Sequence, residues 1–301
     1  MGKERNDLAE QNRRSWNAVV GAHESHRTNL APFLRNGGSA LFPEELELLG
    51  DLNDRTVTHL MCNTGADSLS LAALGAKVVG VDISNAAIHR ARKLSDESGI
   101  SAHFERSEIY GWLEKAGRED RRFDLAFASY GVVCWLRDLD LWADGVASIL
   151  KPGGRFVLVD FHPFSAMFDG EWKLTRDYRS SGSERDENGV GDYVGDSEGG
   201  LAPSGFVEGV RDYQNPEECH LFRRGIGEVV TALAGAGLKI EALKEYPYSN
   251  GERPFSGMRE LAGRRMFPPE GIPALPLMYG LSAKKLERRA TRHKRVRFPI
   301  R

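Results

Sequence analysis

From residue 56 onward the apolar residues fall into short, near-continuous runs separated by amphipathic stretches. That rhythm predicts alternating strands and helices. TVTHLMC (56–62) reads as a strand and ADSLSLAALG (66–75) as a helix. AKVVGVDI (76–83) is a strand, and SNAAIHRARKLSDESG (84–99) a helix with Ser84 as N-cap and Gly99 as stop. SAHFERS (101–107), FDLAFASYG (123–131) and RFVLVDF (155–161) are further strands, and LDLWADGVASIL (139–150) is an amphipathic helix. Residues 225–246 supply a helix, a glycine stop and a strand, and LPLMYGLSAK (275–284) a last strand. Strands apolar on both faces and separated by helices imply a parallel sheet covered on both sides, an α/β fold.

The flanking pattern differs. Residues 5–20 suit a polar helix ending in the apolar group Trp16, Val19 and Val20. Residues 22–38 read as irregular, with Pro32 and the Gly37–Gly38 pair as breakers, and 42–50 as a short helix from Pro43 to Gly50. Residues 165–220 are rich in Gly, Ser, Asp and Glu, with Trp172, Tyr178, Tyr193, Phe206 and Tyr213 interspersed. A structureless loop of that length is rare in a compact domain, so the segment reads as an inserted cap with short antiparallel elements. The expected organisation is an N-terminal helical lid (1–50), a cofactor-binding half (51–164), the cap (165–220), the second half of the same fold (221–284) and a basic tail (285–301). The tail reads as a solvated terminus; its alternative is a contact for an acidic partner or nucleic acid.

Bulk properties narrow the function. A chain of 301 residues holds one large domain or two small ones. Its net charge of −2 gives no overall field that selects nucleic acid. No apolar run approaches the roughly 18 residues of a membrane span. Cys62, Cys134 and Cys219 are far apart, which suits a reducing compartment rather than a disulfide scaffold or a zinc site. The N-terminus is polar, so the expected location is cytoplasmic.

The stretch HLMCNTGADSLSLAAL (59–74) concentrates the chemistry. A strand running through a tight turn into a helix sets main-chain N–H groups over the sheet edge, where a ligand approaches closely. Asp82, at the end of the next strand, suits both hydroxyls of a ribose. Glu108, after the third strand, suits an exocyclic adenine amine. ASYGVV (128–133) follows the fourth strand, where the first and fourth strands diverge and ligands of open α/β sheets sit. A nicotinamide G-x-G-x-x-G would fall on Asn63, Gly65 and Ser68, with one glycine present, and no G-K-[ST] follows to make a P-loop.

Taken in order, VTHLMCNTGADSLSLAALGAKVVGVDIS, FERSEIY, FDLAFASYGVVCWL and LKPGGRFVLVDFHPF resemble class I S-adenosylmethionine-dependent methyltransferases over roughly residues 55–165. The likeness is weaker over 222–284. It implies a Rossmann-like seven-stranded, mostly parallel sheet in the order 3-2-1-4-5-7-6, the seventh strand antiparallel. The implied cofactor is S-adenosyl-L-methionine, with S-adenosyl-L-homocysteine as product. It would lie against His59, Cys62, Asn63, Gly65, Asp82, Ile83, Glu108, Ile109, Ser129 and Tyr130, with Trp16 closing over it. The family's D-x-G-x-G-x-G loop aligns with His59, Met61, Asn63 and Gly65, and three of those four positions differ. Asparagine tolerates a left-handed backbone, so Asn63 replaces one glycine. Met61 lacks that licence, so its side chain must enter the strand packing or narrow the pocket. His59 stands where the family often has an acid that holds the cofactor's amino acid end.

The expected activity is methyl transfer to an O, N or C nucleophile of a small organic acceptor, by in-line displacement. Alternatives are an RNA or protein methyltransferase and a non-catalytic or non-methylating relative. His162, directly after the fifth strand, is the leading base; His26 and His23, in the lid, are further candidates. Tyr130, Trp135, Trp172 and Tyr178 are the expected acceptor contacts. His23 and His26 lack a third ligand, so no metal is expected. The expected assembly is a monomer or homodimer, without membrane and without nucleic acid.

Overall fold

The computed structural model describes residues 2–180 and 182–287, with side chains from residue 7 onward. Three helices, α1 (Gly2–Ser25), α2 (Leu30–Arg35) and α3 (Pro43–Leu49), precede the sheet. There follow β1 (Thr56–Leu60), α4 (Ala66–Ala73), β2 (Lys77–Asp82), α5 (Asn85–Ser98), β3 (His103–Arg106), α6 (Ile109–Arg118), β4 (Phe123–Ser129), α7 (Leu139–Ile149) and β5 (Leu150–Phe161). Next come β6 (Glu184–Asp186), α8 (Tyr193–Asp196), β7 (Cys219–Leu221), α9 (Ile226–Gly235) and β8 (Leu238–Tyr246). The chain ends in β9 (Ser249–Asn250), β10 (Arg259–Leu261), β11 (Arg265–Phe267) and β12 (Met278–Lys285).

Seven strands form the main sheet in the order β3-β2-β1-β4-β5-β12-β8. β12 runs antiparallel to both β5 and β8, and the other pairs are parallel. With β8 as sixth strand and β12 as seventh, this is the expected topology. The central strands are buried on both faces, as their apolar runs require: Val57, Leu60, Phe127, Phe156, Val157 and Leu158 are fully covered. One face packs against α6, α7 and α9 through Trp112, Trp142, Val146 and Leu233. The other packs against α2 to α5 through Leu34, Leu49, Leu71 and Ile88.

Three readings of the sequence change. Residues 30–35, expected to be irregular, are helical around Pro32. The proline lies in the first turn, where its missing N–H needs no helical partner, and Phe33 N donates to Asn29 O (2.8 Å). Helix α6 was not marked in advance because Gly111 and Gly117 dilute its propensity. Its apolar face is nevertheless complete, with Ile109, Tyr110, Trp112, Leu113 and Ala116 buried. Between β8 and β12 the chain also leaves the body a second time, and β10-β11-β9 form a small separate sheet. That excursion has its own core of Phe255, Met258, Met266 and Leu277. Of the basic tail, residues 288–301 lie outside the described residues. Lys285 Nζ donates to the carbonyls of Ala147 (2.6 Å) and Leu150 (2.9 Å).

Phe156 stands in the middle of β5, fully buried, with its ring 5.2 Å from that of Trp142. Phe156→Ala is expected to lower unfolding free energy by about 3–5 kcal/mol, read from the urea midpoint at unchanged slope.

Candidate active site

A cavity of about 510 Å³ opens at the carboxyl ends of β1, β2 and β4, where the strand order reverses. Its floor is the bend after β1. Met61, Asn63 and Gly65 all have positive φ, at 59°, 49° and 80°. These are the three positions where the related loop has glycines, so the backbone keeps the glycine path with one glycine left. Gly65 is required twice over, because a Cβ there would meet Ala91 Cβ and the Phe104 ring at 2.8 Å. Met61 lines the cavity and packs against the core under α6 and α7.

The bend is tied to β2. Cys62 N donates to Val81 O (2.9 Å), and Asn63 N donates to the Asp82 carboxylate (2.9 Å). The other Asp82 oxygen accepts from Ser84 N (2.8 Å). The Ile83 N–H also bears on this carboxylate, and the residue borders the cavity. Burial pushes the Asp82 pKa up, and the main-chain donors oppose that shift. Ile83 and Ile109 line the same end.

At the opposite end His59 is buried between two hydroxyls, with Nδ1 2.9 Å from Ser68 Oγ and Nε2 3.4 Å from Ser129 Oγ. Burial holds its pKa down to about 3, so the ring is neutral. Asp67, in the first turn of α4, borders the cavity, hydrogen-bonds to Ser129 and faces the charges of Arg27 and Arg264. Burial raises its pKa, and the two guanidinium groups oppose that. Arg27 comes from the end of the lid, where its Nη1 also reaches Glu24 (3.0 Å). Arg264 comes from the β10–β11 turn, with its guanidinium 4.1 Å from the Phe42 ring centre.

The roof is aromatic. Trp16 of α1 meets Trp135 edge-on at 5.4 Å and Tyr193 of the inserted segment at 6.4 Å. Asn63 Nδ2 donates to Tyr193 Oη (3.1 Å), which joins roof to floor. The lid is docked at both ends of its reach. Asn17 Oδ1 accepts from Ser84 Oγ (2.7 Å) and Ala86 N (3.1 Å) at the start of α5. Asn12 exchanges two hydrogen bonds with the His220 main chain on β7 (3.0 and 2.7 Å).

Residues 57–154 match the family model described as "Methyltransferase domain". Over these residues the chain matches a methyltransferase domain. It is 30% identical over 132 residues to a ubiquinone biosynthesis O-methyltransferase of Chelativorans sp., covering 44% of this chain and 50% of that one. It is 33% identical over 103 residues to a probable thiol methyltransferase 2 of Arabidopsis thaliana, covering 33% of this chain and 43% of that one. The chain thus spans about half the length of the curated relatives it matches. A crystal structure described as a putative S-adenosylmethionine-dependent methyltransferase from Listeria monocytogenes shares the fold. It has TM-score 0.53 and 18% identity, over 81% of this chain and 97% of that one. A methyltransferase structure from Mesorhizobium loti is similar, with TM-score 0.52 and 21% identity over 82% and 98%.

Trp16, His59, Cys62, Asn63, Gly65, Asp82, Ile83, Glu108, Ile109, Ser129, Tyr130 and Trp135 all border the cavity. Glu108 is engaged, however: Oε2 caps α6 through Gly111 N (3.0 Å) and Oε1 meets Arg137 (3.1 Å). Tyr130 Oη accepts from Asn250 Nδ2 (2.9 Å), within reach of the second excursion. His162, His26, His23, Trp172 and Tyr178 do not line it. His162 accepts at Nδ1 from Phe164 N (3.1 Å) and donates from Nε2 to Glu245 (2.9 Å), so both ring nitrogens are spoken for. Burial lowers its pKa, against the pull of Glu245. His26 Nε2 meets Asp192 at 2.8 Å, and His23 Nε2 meets Gly191 O at 3.1 Å, so the pair joins lid to insert. Burial takes His23 down to about 4. The Trp172 ring lies 4.2 Å from that of Phe255, tilted by 32°, and Tyr178 Oη accepts from Ile226 N (3.3 Å). Asp160, near the end of β5, accepts from the main-chain N–H groups of Gly131 (2.5 Å), Val132 (3.1 Å) and Val133 (2.9 Å). It shapes the loop after β4.

Asp67, Arg27, Arg264 and Glu252 border the cavity and were not singled out from the sequence. Asp67 had a signal, since it lies two residues past Gly65. The others come from distant segments whose return to the sheet edge no local pattern marks. The strain at Asn63 is directly testable. Asn63→Gly should leave stability within about 1 kcal/mol, whereas Asn63→Val, β-branched at positive φ, should cost about 2 kcal/mol, both by urea titration.

Proposed function

We propose that this protein transfers the methyl group of S-adenosylmethionine to a nucleophilic atom of a small organic molecule. The observation that carries the reading is the cavity itself. It joins a left-handed main-chain bend, a ribose-suited carboxylate at Asp82, and an acid flanked by two arginines at the far end. When bound, S-adenosylmethionine supplies a methyl group that is already electrophilic because it is carried on a sulfonium.

The residues present fit that molecule part by part. Asp82 accepts from the ribose hydroxyls, and the N–H groups that already hold its carboxylate keep it from turning away. Ile83 and Ile109 offer apolar walls to the base. Asp67 receives the ammonium of the amino acid end, and Arg264 and Arg27 face its carboxylate. This replaces the acid absent at His59. The chain's remaining work is alignment and exclusion of water, performed by Trp16, Trp135 and Tyr193. Closure by the protein's own lid and insert favours an acceptor small enough to be surrounded. The relatives named for oxygen and for thiol methylation are in keeping with a small acceptor.

Calorimetry tests the assignment without knowledge of the acceptor. Wild-type protein should bind S-adenosylhomocysteine, and Asp82→Ala should weaken it more than tenfold. Asp67→Asn should weaken S-adenosylhomocysteine about tenfold but leave 5′-methylthioadenosine, which lacks the amino acid end, within twofold. Equal losses for both ligands would remove Asp67 from the amino acid site. No binding of either by the wild type would remove the methyl-donor reading.

A further inference from the structure

Behind the roofed cavity lies a second one of about 370 Å³, between the end of β5 and the turn after β9. Phe161, Phe168, Phe255 and Leu277 make its walls largely apolar, with Asp169 and Arg176 also on its border. Among the described residues, Phe161 and Glu252 alone border both cavities.

Glu252 is firmly placed. Its N–H donates to Asn250 O (2.9 Å), and its carbonyl accepts from Ser249 Oγ (2.7 Å). The preceding Gly251 has φ of 73°, and a Cβ there would meet Gly200 O at 2.5 Å, so the turn is pressed against the inserted segment. The side chain, by contrast, has no donor and no cation paired with it among the described residues: burial, and then the charge of Asp160, push its pKa up to about 8. Burial keeps the Tyr193 phenol and the Cys134 thiol beside it neutral, and the charged Arg176 and Asp169 border the same cavity without pairing with it among the described residues. Asp160 itself is turned toward main-chain N–H groups. A fixed, unpartnered carboxyl between a donor cavity and an apolar one lacks only a ligand that brings a proton donor.

We propose that Glu252 is the catalytic base, taking the proton of an acceptor hydroxyl whose apolar body occupies the cavity of Phe161, Phe168 and Phe255. This rests on reading the first cavity as the methyl donor's site. The acceptor O–H bond breaks and its proton passes to a Glu252 carboxylate oxygen. The freed pair forms the bond to the methyl carbon, and the carbon–sulfur pair stays on sulfur, leaving a neutral thioether. Below pH 8 the carboxyl is protonated in the free protein and poor as a base; above it the carboxylate is available.

The test compares 4-propylphenol with 4-propylanisole, which lacks the hydroxyl proton, by calorimetry with and without S-adenosylhomocysteine. The wild type should prefer the phenol at least tenfold at pH 9, and the preference should grow between pH 7 and 9 with a midpoint near 8. Glu252→Gln should reduce it to within threefold, and Phe255→Ala should weaken both compounds together. The proposal is overturned if Glu252→Gln keeps the preference and its pH dependence, if Phe255→Ala changes neither affinity, or if the wild type binds neither compound. The pH dependence is read on the wild type, so it stands even where a variant does not fold. Retained S-adenosylhomocysteine binding with no phenol preference removes Glu252 alone; loss of that binding in the wild type removes the donor site instead.

Discussion

One hydrogen bond organises the site: the Asn63 N–H to the carboxylate of Asp82. A chain leaving β1 through left-handed residues at 61, 63 and 65 is strained wherever a side chain replaces glycine. The acceptor waiting at the end of β2 offsets that strain and pins the bend to its neighbour strand. The same bond orients Asp82, so the loop and the carboxylate fix each other. Asparagine suits the middle position doubly, because it tolerates the backbone and its amide reaches the Tyr193 hydroxyl above.

The second constraint is convergence. Three segments outside the alternating pattern meet over the same sheet edge: the lid, the insert after β5 and the excursion after β8. Polar side chains with few alternatives hold them together. Glu44 of α3 accepts from Tyr248 (2.8 Å) and Asn250 (2.9 Å) and pairs with Arg265, which fixes the second excursion to the body. His23 and His26 hold the insert at Gly191 and Asp192. The lid histidines and His162 lie off the cavity border and are held by other protein groups, while the carboxyl groups of Asp67 and Glu252 border the cavity.

The proposed place of Asp67 at the amino acid end would let the site tolerate a changed motif. A neutral, buried imidazole at His59 carries no charge toward a ligand. A carboxyl in the first turn of α4 is well placed to stand in, since its charge also suits the positive end of the helix. Its neighbours Arg27 and Arg264 come from segments far from β1 in sequence. On that proposal, groups outside the local motif would make up for the residue lost at His59.

The alternation of strands and helices and the left-handed Asn63 were legible in the residues, because each depends on local periodicity or on one residue's backbone preference; the antiparallel last strand was legible only through the family resemblance. Asp82 was legible as a residue at the tip of β2, where main-chain topology alone decides what a side chain meets. Helix α6 was not, since two glycines masked a face that only packing against α7 makes worthwhile. Nor were the roles of His162, Glu252 and Arg264. Whether a histidine faces a cavity or a glutamate, and whether a carboxyl finds a cation, depends on which distant segments fold back beside it. Residue spacing carries the first kind of information; only the closed tertiary structure, through burial and the partners it supplies, carries the second.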